Sequence, residues 1–293
     1  WGKTAHGFYT PNSSMRLSRA LESFKGGDLV IDVAETPIKC PVAPLEFACL
    51  ADEYLAKRGL RNKTRITLVT PLNGAFTKPV CNKALTHILK EKNIQVVNNA
   101  SLVSVTENSI LCPDGQEIDF DLLVVVPPHE GSDLIEDADL GDGLGFGRTD
   151  KRTLKSTIAE RVFLVGDNAG IHASKAGSVA HFQADVVVHN ILREIAGKEA
   201  ESRADGHANC FIETGYGKAV LIDFNYEVQP VPGKFPMPVI GPMTLLKETY
   251  LNHLGKLAFK HIYWNMLLPA RSIPMVGSQM SMAGKKMHYL NDT

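Results

Sequence analysis

Compact apolar runs alternate with amphipathic stretches through the first part of the chain. Gly26–Ala34 (GGDLVIDVA) is one run, opened by two glycines, and Arg65–Pro71 (RITLVTP) is a second. Between them, after Pro41, Leu45, Cys49, Leu50 and Leu55 recur at helical spacing. Lys83–Asn93 (KALTHILKEKN) sets Leu85, Ile88 and Leu89 on one face, and IQVVNN follows as a third run. Runs without alternation read as strands buried on both faces, and the i, i+3, i+4 stretches read as helices. The βαβαβ order predicts an α/β fold whose parallel, doubly wound sheet extends from Gly26 to about Ser104.

The texture then changes. Ala100–Pro128 predicts short antiparallel strands around a CPDG turn, then a buried strand DLLVVV stopped by Pro127 and Pro128. Val162–Gly170 (VFLVGDNAG) predicts another buried strand, breaking at Gly166-Asp167, and Ser174–Gly197 predicts a long helix closed by Gly197. A polar connection leads to a tail, from about His207, rich in proline, methionine and aromatic residues. Within it Thr244–Pro269 is helix-like, with an apolar stripe of Leu254, Leu257, Ala258, Ile262 and Met266. Lys247, Lys256, Lys260, Tyr263 and Trp264 flank that stripe, which suits a helix lying in a bilayer interface or one capping a dimer.

Length and composition narrow the classes. A chain of 293 residues has room for two domains. A formal charge of −1 gives no reason to expect nucleic acid as a partner. Five cysteines are too few for a disulfide-stapled scaffold, and their spacing gives no metal site. No apolar run reaches the roughly 20 residues of a membrane-spanning helix. Gly141–Gly147 (GDGLGFG) follows an acidic turn instead of a strand and reads as a surface loop.

Two places carry candidate chemistry. The strand–helix junction Ala34–Glu46 holds Lys39-Cys40-Pro41 where other α/β proteins place phosphate-binding glycines. Glu46, six residues after Cys40, reads from the residues alone as a helix-terminal charge. At the second place, Gly166-Asp167 delivers a carboxylate to the carboxyl edge of a strand, before a helix opening at Ser174-Lys175-Ala176-Gly177. Cys49, Cys81 and Cys112 read as small hydrophobes, the first on a helix and the others near loops.

TLKSTIAERVFLVGDNAG followed by SKAGSVAHFQADVVVHNI resembles the second flavin-contacting segment of the two-dinucleotide-domain flavoproteins. With KCPVAPLEF, GHANCFIETGYGKAVLIDFNY, PGKFPMPVIGPM and NHLGKLAFKHIYWNMLLPAR, nearly the whole chain resembles sulfide:quinone oxidoreductases. The resemblance implies tandem Rossmann-like domains, FAD as cofactor, and sulfide and quinone as substrates. It implies a peripheral membrane protein that touches the membrane surface through its C-terminal region, and a homo-oligomer is expected. It puts Gly166 and Asp167 at the ribityl chain, Lys175, Ala176 and Gly177 near the pyrimidine edge, and Pro41 in the same pocket. It makes Cys40 and Cys210 a redox pair on one face of the flavin, with Cys210 as sulfane carrier, Cys40 as flavin-facing thiolate and Glu46 in proton transfer. Phe259 is the expected quinone-stacking residue.

Two departures from the family stand out. No βαβ with GxGxxG precedes Gly26, so residues 1–25 look like the join that follows that half-domain. FAD binding by this chain alone is therefore expected to be impaired. The expected layout is a second Rossmann-like domain at 26–105, a remaining FAD-binding segment at 106–205, and a redox-cysteine, quinone and membrane region at 206–293. There is also no third cysteine near AHGFYTPNSS. The rival readings are the flavoprotein subunit of a flavocytochrome c sulfide dehydrogenase and a non-catalytic scaffold of this fold.

Overall fold

The run Gly26–Ala34 becomes the middle of a five-stranded parallel sheet. The structure, a computed structural model, describes residues 4–271 and 273–290, without the side chain of Leu290. The few remaining positions of the expected joining segment and tail lie outside the described residues. The first of two units comprises Trp1–Ile38, Val42–His129 and Ile212–Gly217. In chain order it holds β1 (Ala5–His6), α1 (Pro11–Ser23), β2 (Gly27–Val33), α2 (Ala43–Lys57), β3 (Thr64–Val69), α3 (Pro79–Glu91) and β4 (Ile94–Val97). A small antiparallel sheet of β5 (Ser104–Val105), β6 (Ser109–Leu111) and β7 (Glu117–Asp119) follows, then β8 (Leu122–Val126).

The parallel sheet has the order β1-β8-β2-β3-β4. β8 is buried along its whole length because β1 and β2 flank it. The apolar run DLLVVV thus lies inside the first sheet, and this unit continues to His129 past the expected boundary at 105. The helix α1 was not expected. Its start is nevertheless written in Thr10-Pro11-Asn12-Ser13: the Ser13 N–H donates to Thr10 Oγ1 at 3.1 Å, and the Thr10 N–H to Ser13 Oγ at 3.0 Å. Cys49 is buried on α2 as expected, but Leu50 is exposed; Cys81 is buried in the first turn of α3, just after a loop.

Among the described residues, the acidic side chains Asp32, Asp52 and Glu213 are buried in this unit, and the first two have opposite fates. Asp52 accepts the Arg61 guanidinium and the Tyr216 hydroxyl, the latter at 2.9 Å. Arg61 also donates to the carbonyls of Thr64 and Lys92, each at 2.7 Å. Burial first, and Asp52 second, push the Tyr216 hydroxyl up to about 12. Asp32 of β2 is 0% exposed, and neither carboxylate oxygen has a partner. In register it lies beside Val69 and Val125, which join the apolar cluster of Ile110, Cys112 and Phe120.

The second unit comprises Lys39–Pro41, Glu130–Phe211 and Lys218–Thr293. It holds α4 (Asp133–Asp137), α5 (Gly177–Ile195), β9 (Ala208–Gly215), β10 (Lys218–Phe224), β11 (Gly233–Phe235), β12 (Met243–Leu245) and α6 (Tyr250–Ile262). Its four strands order as β11-β12-β10-β9, and the tip of the β9–β10 hairpin clusters with the first unit. The expected strand at Val162–Gly170 does not form. Phe163 makes an isolated bridge to Lys155, and Val165 is exposed. A continuous apolar run becomes a buried strand only with neighbours on both sides, and no described strand lies alongside it. The loop Gly141–Gly147 is a surface loop, pinned by Asp142 Oδ1 accepting the N–H groups of Leu144 and Phe146.

The tail helix starts later than its pattern suggests, because Met243–Leu245 is a strand. Thr249 caps α6, its side chain accepting the Asn252 N–H at 3.0 Å. The helix buries Asn252 and Gly255 and leaves Leu251, Leu254 and Leu257 outside. Gly255 is needed for close approach: a Cβ there would lie 2.9 Å from the Phe211 ring. Thr249→Ala is expected to lower stability by about 1 kcal/mol, read from the midpoint of urea unfolding.

Candidate active site

In the second unit Cys40 and the residue before Cys210 each bond to one short stretch of chain. The Cys40 N–H donates to the Lys175 carbonyl at 2.6 Å, and Lys39 bridges Lys175 in parallel. Cys40 itself has φ 53°, the left-handed region that glycine usually occupies. Holding a β-carbon there costs on the order of 1 kcal/mol and is found where a side chain is being aimed. Pro41 then fixes φ at the next position. Cys210 sits in β9, and its neighbour Asn209 reaches Ser178 Oγ through its N–H at 3.5 Å. Cys40 is thus tied to Lys175 by its own N–H, and Cys210 follows directly on the residue that reaches Ser178. Both are partly exposed, and no disulfide joins the described cysteines.

That stretch is the start of α5. Ala176 caps it without a side-chain hydrogen bond, and a Cβ built on Gly177 would meet nothing within 4 Å. An open first turn, with free N–H groups and the positive end of the helix dipole, suits a polar or anionic ring edge. Asp167 stands beside it in the turn Gly166–Asn168. Gly166 has φ 62°, and a Cβ there would come within 3.0 Å of Ala180, so the turn can sit close on α5 only with glycine. Gln183 of α5 accepts the Gly166 N–H at 2.6 Å.

Lys175 has a different task from the one its sequence position suggests. Its ammonium is buried and donates to the carbonyls of Asp167 and Ala169, both at 3.0 Å. It also lies 3.9 Å from the centre of the Phe146 ring. Burial, the largest influence, holds this amine below its usual range despite Asp167 and Asp142. Lys175 thus braces the Asp167 turn, while its backbone carries Cys40.

The other expected residues are placed separately. Glu46 is in the first turn of α2 in the first unit, which also stacks Phe8 on Phe47 at 5.2 Å and sets Tyr9 edge-on to His129 at 4.4 Å. Phe259 is half-exposed on α6. Lys256, expected on the polar face, donates to the Phe211 carbonyl at 3.1 Å. Sequence reasoning passed over His207, Asp223 and Lys285, which form a buried network at the head of the Cys210 strand.

No protein-family model matches the chain. It is 27% identical over 269 residues to the mitochondrial sulfide:quinone oxidoreductase of Mus musculus, a match covering 89% of this chain and 58% of that protein. The mitochondrial sulfide:quinone oxidoreductase of Dictyostelium discoideum is 28% identical over 271 residues, with 90% and 58% covered. The chain is a sequence relative of the sulfide:quinone oxidoreductases. It spans little more than half the length of these two relatives. Its fold matches the solved sulfide:quinone oxidoreductase of Aquifex aeolicus with a TM-score of 0.71 at 19% identity, covering 89% of this chain and 64% of that one. That likeness supports the α/β architecture with its parallel sheet.

Proposed function

We propose that the chain supplies the cysteine pair, the pyrimidine end of the flavin site and the membrane face of a flavin-dependent sulfide:quinone oxidoreductase. The observation that carries this reading is the attachment of Cys40 and Asn209 to the same open helix start, with Cys40 held at positive φ. The relatives are named for sulfide and quinone and as mitochondrial, which supports the same substrates here.

The residues present fit part of an FAD. The free first turn of α5 and the cleared space at Gly177 suit the pyrimidine edge, and Asp167 can take a ribityl hydroxyl. No strand–GxGxxG–helix unit occurs among the described residues, so the pyrophosphate has no cradle in them. When bound, FAD would accept two electrons and release them to the quinone.

The protein's own part is thiol chemistry. Starting from a Cys40–Cys210 disulfide, hydrosulfide attacks the Cys210 sulfur, the S–S bond breaks, and Cys40 leaves as a thiolate. Cys210 then carries the substrate sulfur as a persulfide. Transfer of that sulfane sulfur to an acceptor nucleophile leaves a second thiolate. Reclosing the disulfide releases two electrons, and the substrate proton goes to solvent. Pro41 and the Lys175 carbonyl keep the leaving thiolate in place.

Two further features support the assignment. Val188, Ile191, Leu192 and Ile195 form an exposed apolar stripe on α5, with Ile195 78% exposed. A helix apolar on its outer side as well expects a covering layer, here a βαβ half-domain with the pyrophosphate cradle. Purified without such a half-domain, the chain is expected to show no flavin absorbance; flavin retained by this polypeptide alone would contradict the assignment.

Leu251, Leu254, Leu257, Trp264 and Leu268 are exposed along α6 and the turn after it, which suits shallow insertion beneath lipid headgroups. No helix is long and apolar enough to cross a membrane among the described residues. Leu254→Glu with Leu257→Glu is expected to remove most co-sedimentation with phosphatidylcholine–cardiolipin vesicles. Unchanged sedimentation would shift the reading toward an electron acceptor outside the membrane.

A further inference from the structure

Cys210 lies in an edge strand. The order β11-β12-β10-β9 leaves one long side of β9 without a strand among the described residues. In an antiparallel pair, alternate residues turn their N–H and C=O toward the partner strand, and those between turn them outward. An outward row of backbone groups is a liability that proteins pair, cover or charge. Here the outward residues are Asn209 and Phe211, on either side of Cys210. The Asn209 N–H donates to Ser178 Oγ at 3.5 Å, and the Phe211 carbonyl accepts from the Lys256 ammonium at 3.1 Å. α6 also seats the Phe211 side chain: Gly255 is buried there, and a Cβ on it would lie 2.9 Å from the ring. Successive side chains of a strand point to opposite faces, so with Phe211 turned onto α6 the Cys210 thiol turns away from it. On the β10 side, Asn209 Nδ2 donates to Asp223 Oδ1 at 3.1 Å.

We propose that Lys256 is a positioning residue for Cys210, with Ser178 as its counterpart on the same edge. The two side chains stand in for a neighbouring strand, one acting on the residue before Cys210 and one on the residue after it. They come from different helices, Ser178 from the first turn of α5 and Lys256 from within α6. Cys210 is thereby fixed between the helix start that Cys40 also bonds and the helix that carries the exposed apolar face. Lys256 is the stronger clasp, because its bond is shorter and its donor is charged. Removing the ammonium leaves the Phe211 carbonyl facing an apolar stem and lets the strand peel away from β10, taking the thiol out of its fixed position. The consequence for sulfur exchange rests on the sulfide-oxidising reading; the closed edge does not.

Hydrogen exchange and thiol cross-linking test this without turnover. Lys256→Met keeps the stem and removes the donor. In it the backbone amides of a peptide spanning residues 208–212 should exchange roughly tenfold faster, as the loss of one hydrogen bond to a charged group implies. The cross-link that dibromobimane forms between Cys40 and Cys210 should fall by a similar factor, with separate labelling of each thiol in its place. Lys256→Arg keeps a charged donor and should restore both readings, whereas packing of the stem alone predicts no difference among the three proteins. Ser178→Ala should speed exchange over the same peptide by a smaller factor. Unchanged exchange in Lys256→Met overturns the proposal, as does a Lys256→Arg protein as open as Lys256→Met. If Lys256→Met does not fold, Ser178→Ala decides, and exchange equal to the parent's overturns the proposal. A parent that forms no cross-link, with the exchange results intact, would count against the cysteine pair and not against the clasps.

Discussion

Serine in place of Cys40 or Cys210 is expected to lower sulfide-dependent quinone reduction by the FAD-loaded protein on the order of a thousandfold or more. A hydroxyl cannot form the exchangeable bond, so neither variant can accept the substrate sulfur and release the partner. Because the two sulfurs act as a unit, the double variant should be no worse than either single one. Both residues are partly exposed, and neither belongs to a buried apolar cluster, so the unfolding midpoint should barely move. Cys49→Ser is the control: it removes a buried thiol from α2, should cost stability, and should leave turnover per folded molecule intact. Single cysteine variants that still turn over within tenfold of the parent would remove the exchange step.

Asp32→Val is expected to stabilise the first unit, most of all above neutral pH. Burial without any partner pushes the Asp32 carboxyl up from 3.8 to about 7. The native state therefore keeps a proton that the unfolded chain has already given up. Below 3.8 both states are protonated and nothing is lost. As pH rises from 3.8 to about 7 stability falls, and above that the folded state carries a bare buried charge. The displacement corresponds to roughly 4 kcal/mol at full ionisation, an upper bound for a site that can admit water. Urea unfolding at pH 5 and pH 8 checks it: the parent should be weaker at pH 8, and Asp32→Val should lose that difference. Equal behaviour of the two proteins at both pH values would mean that the carboxylate finds a partner in solution.

The parallel sheet was legible because periodicity is a local signal. Leu29, Val30 and Ile31, then Ile66 and Leu68, declare buried strands wherever they stand. DLLVVV was legible as a strand but not as a neighbour of β2, since pairing across so long a loop leaves no local mark. VFLVG shows the converse: its pattern asks for a sheet that the described residues do not build. The candidate site was legible only in its residue types. Cys40 and Cys210 stand in unrelated stretches, and only folding bonds Cys40 and Asn209 to the start of α5. Lys175 looked like a charge for a ligand, but its ammonium turns inward to two carbonyls, which no spacing rule can show. The two acidic residues within apolar strands teach the same lesson. Asp32 in LVIDV and Asp223 in VLIDF read alike, yet one is unpartnered and the other binds His207, Asn209 and Lys285.

Peptide mapping of the FAD-loaded protein after anaerobic sulfide and reoxidation tests the central claim most directly. The account predicts that the Cys40 and Cys210 peptides are recovered covalently joined, directly or through added sulfur, and separate on reduction. Recovery of both as unmodified, separate thiols after full reoxidation would contradict it.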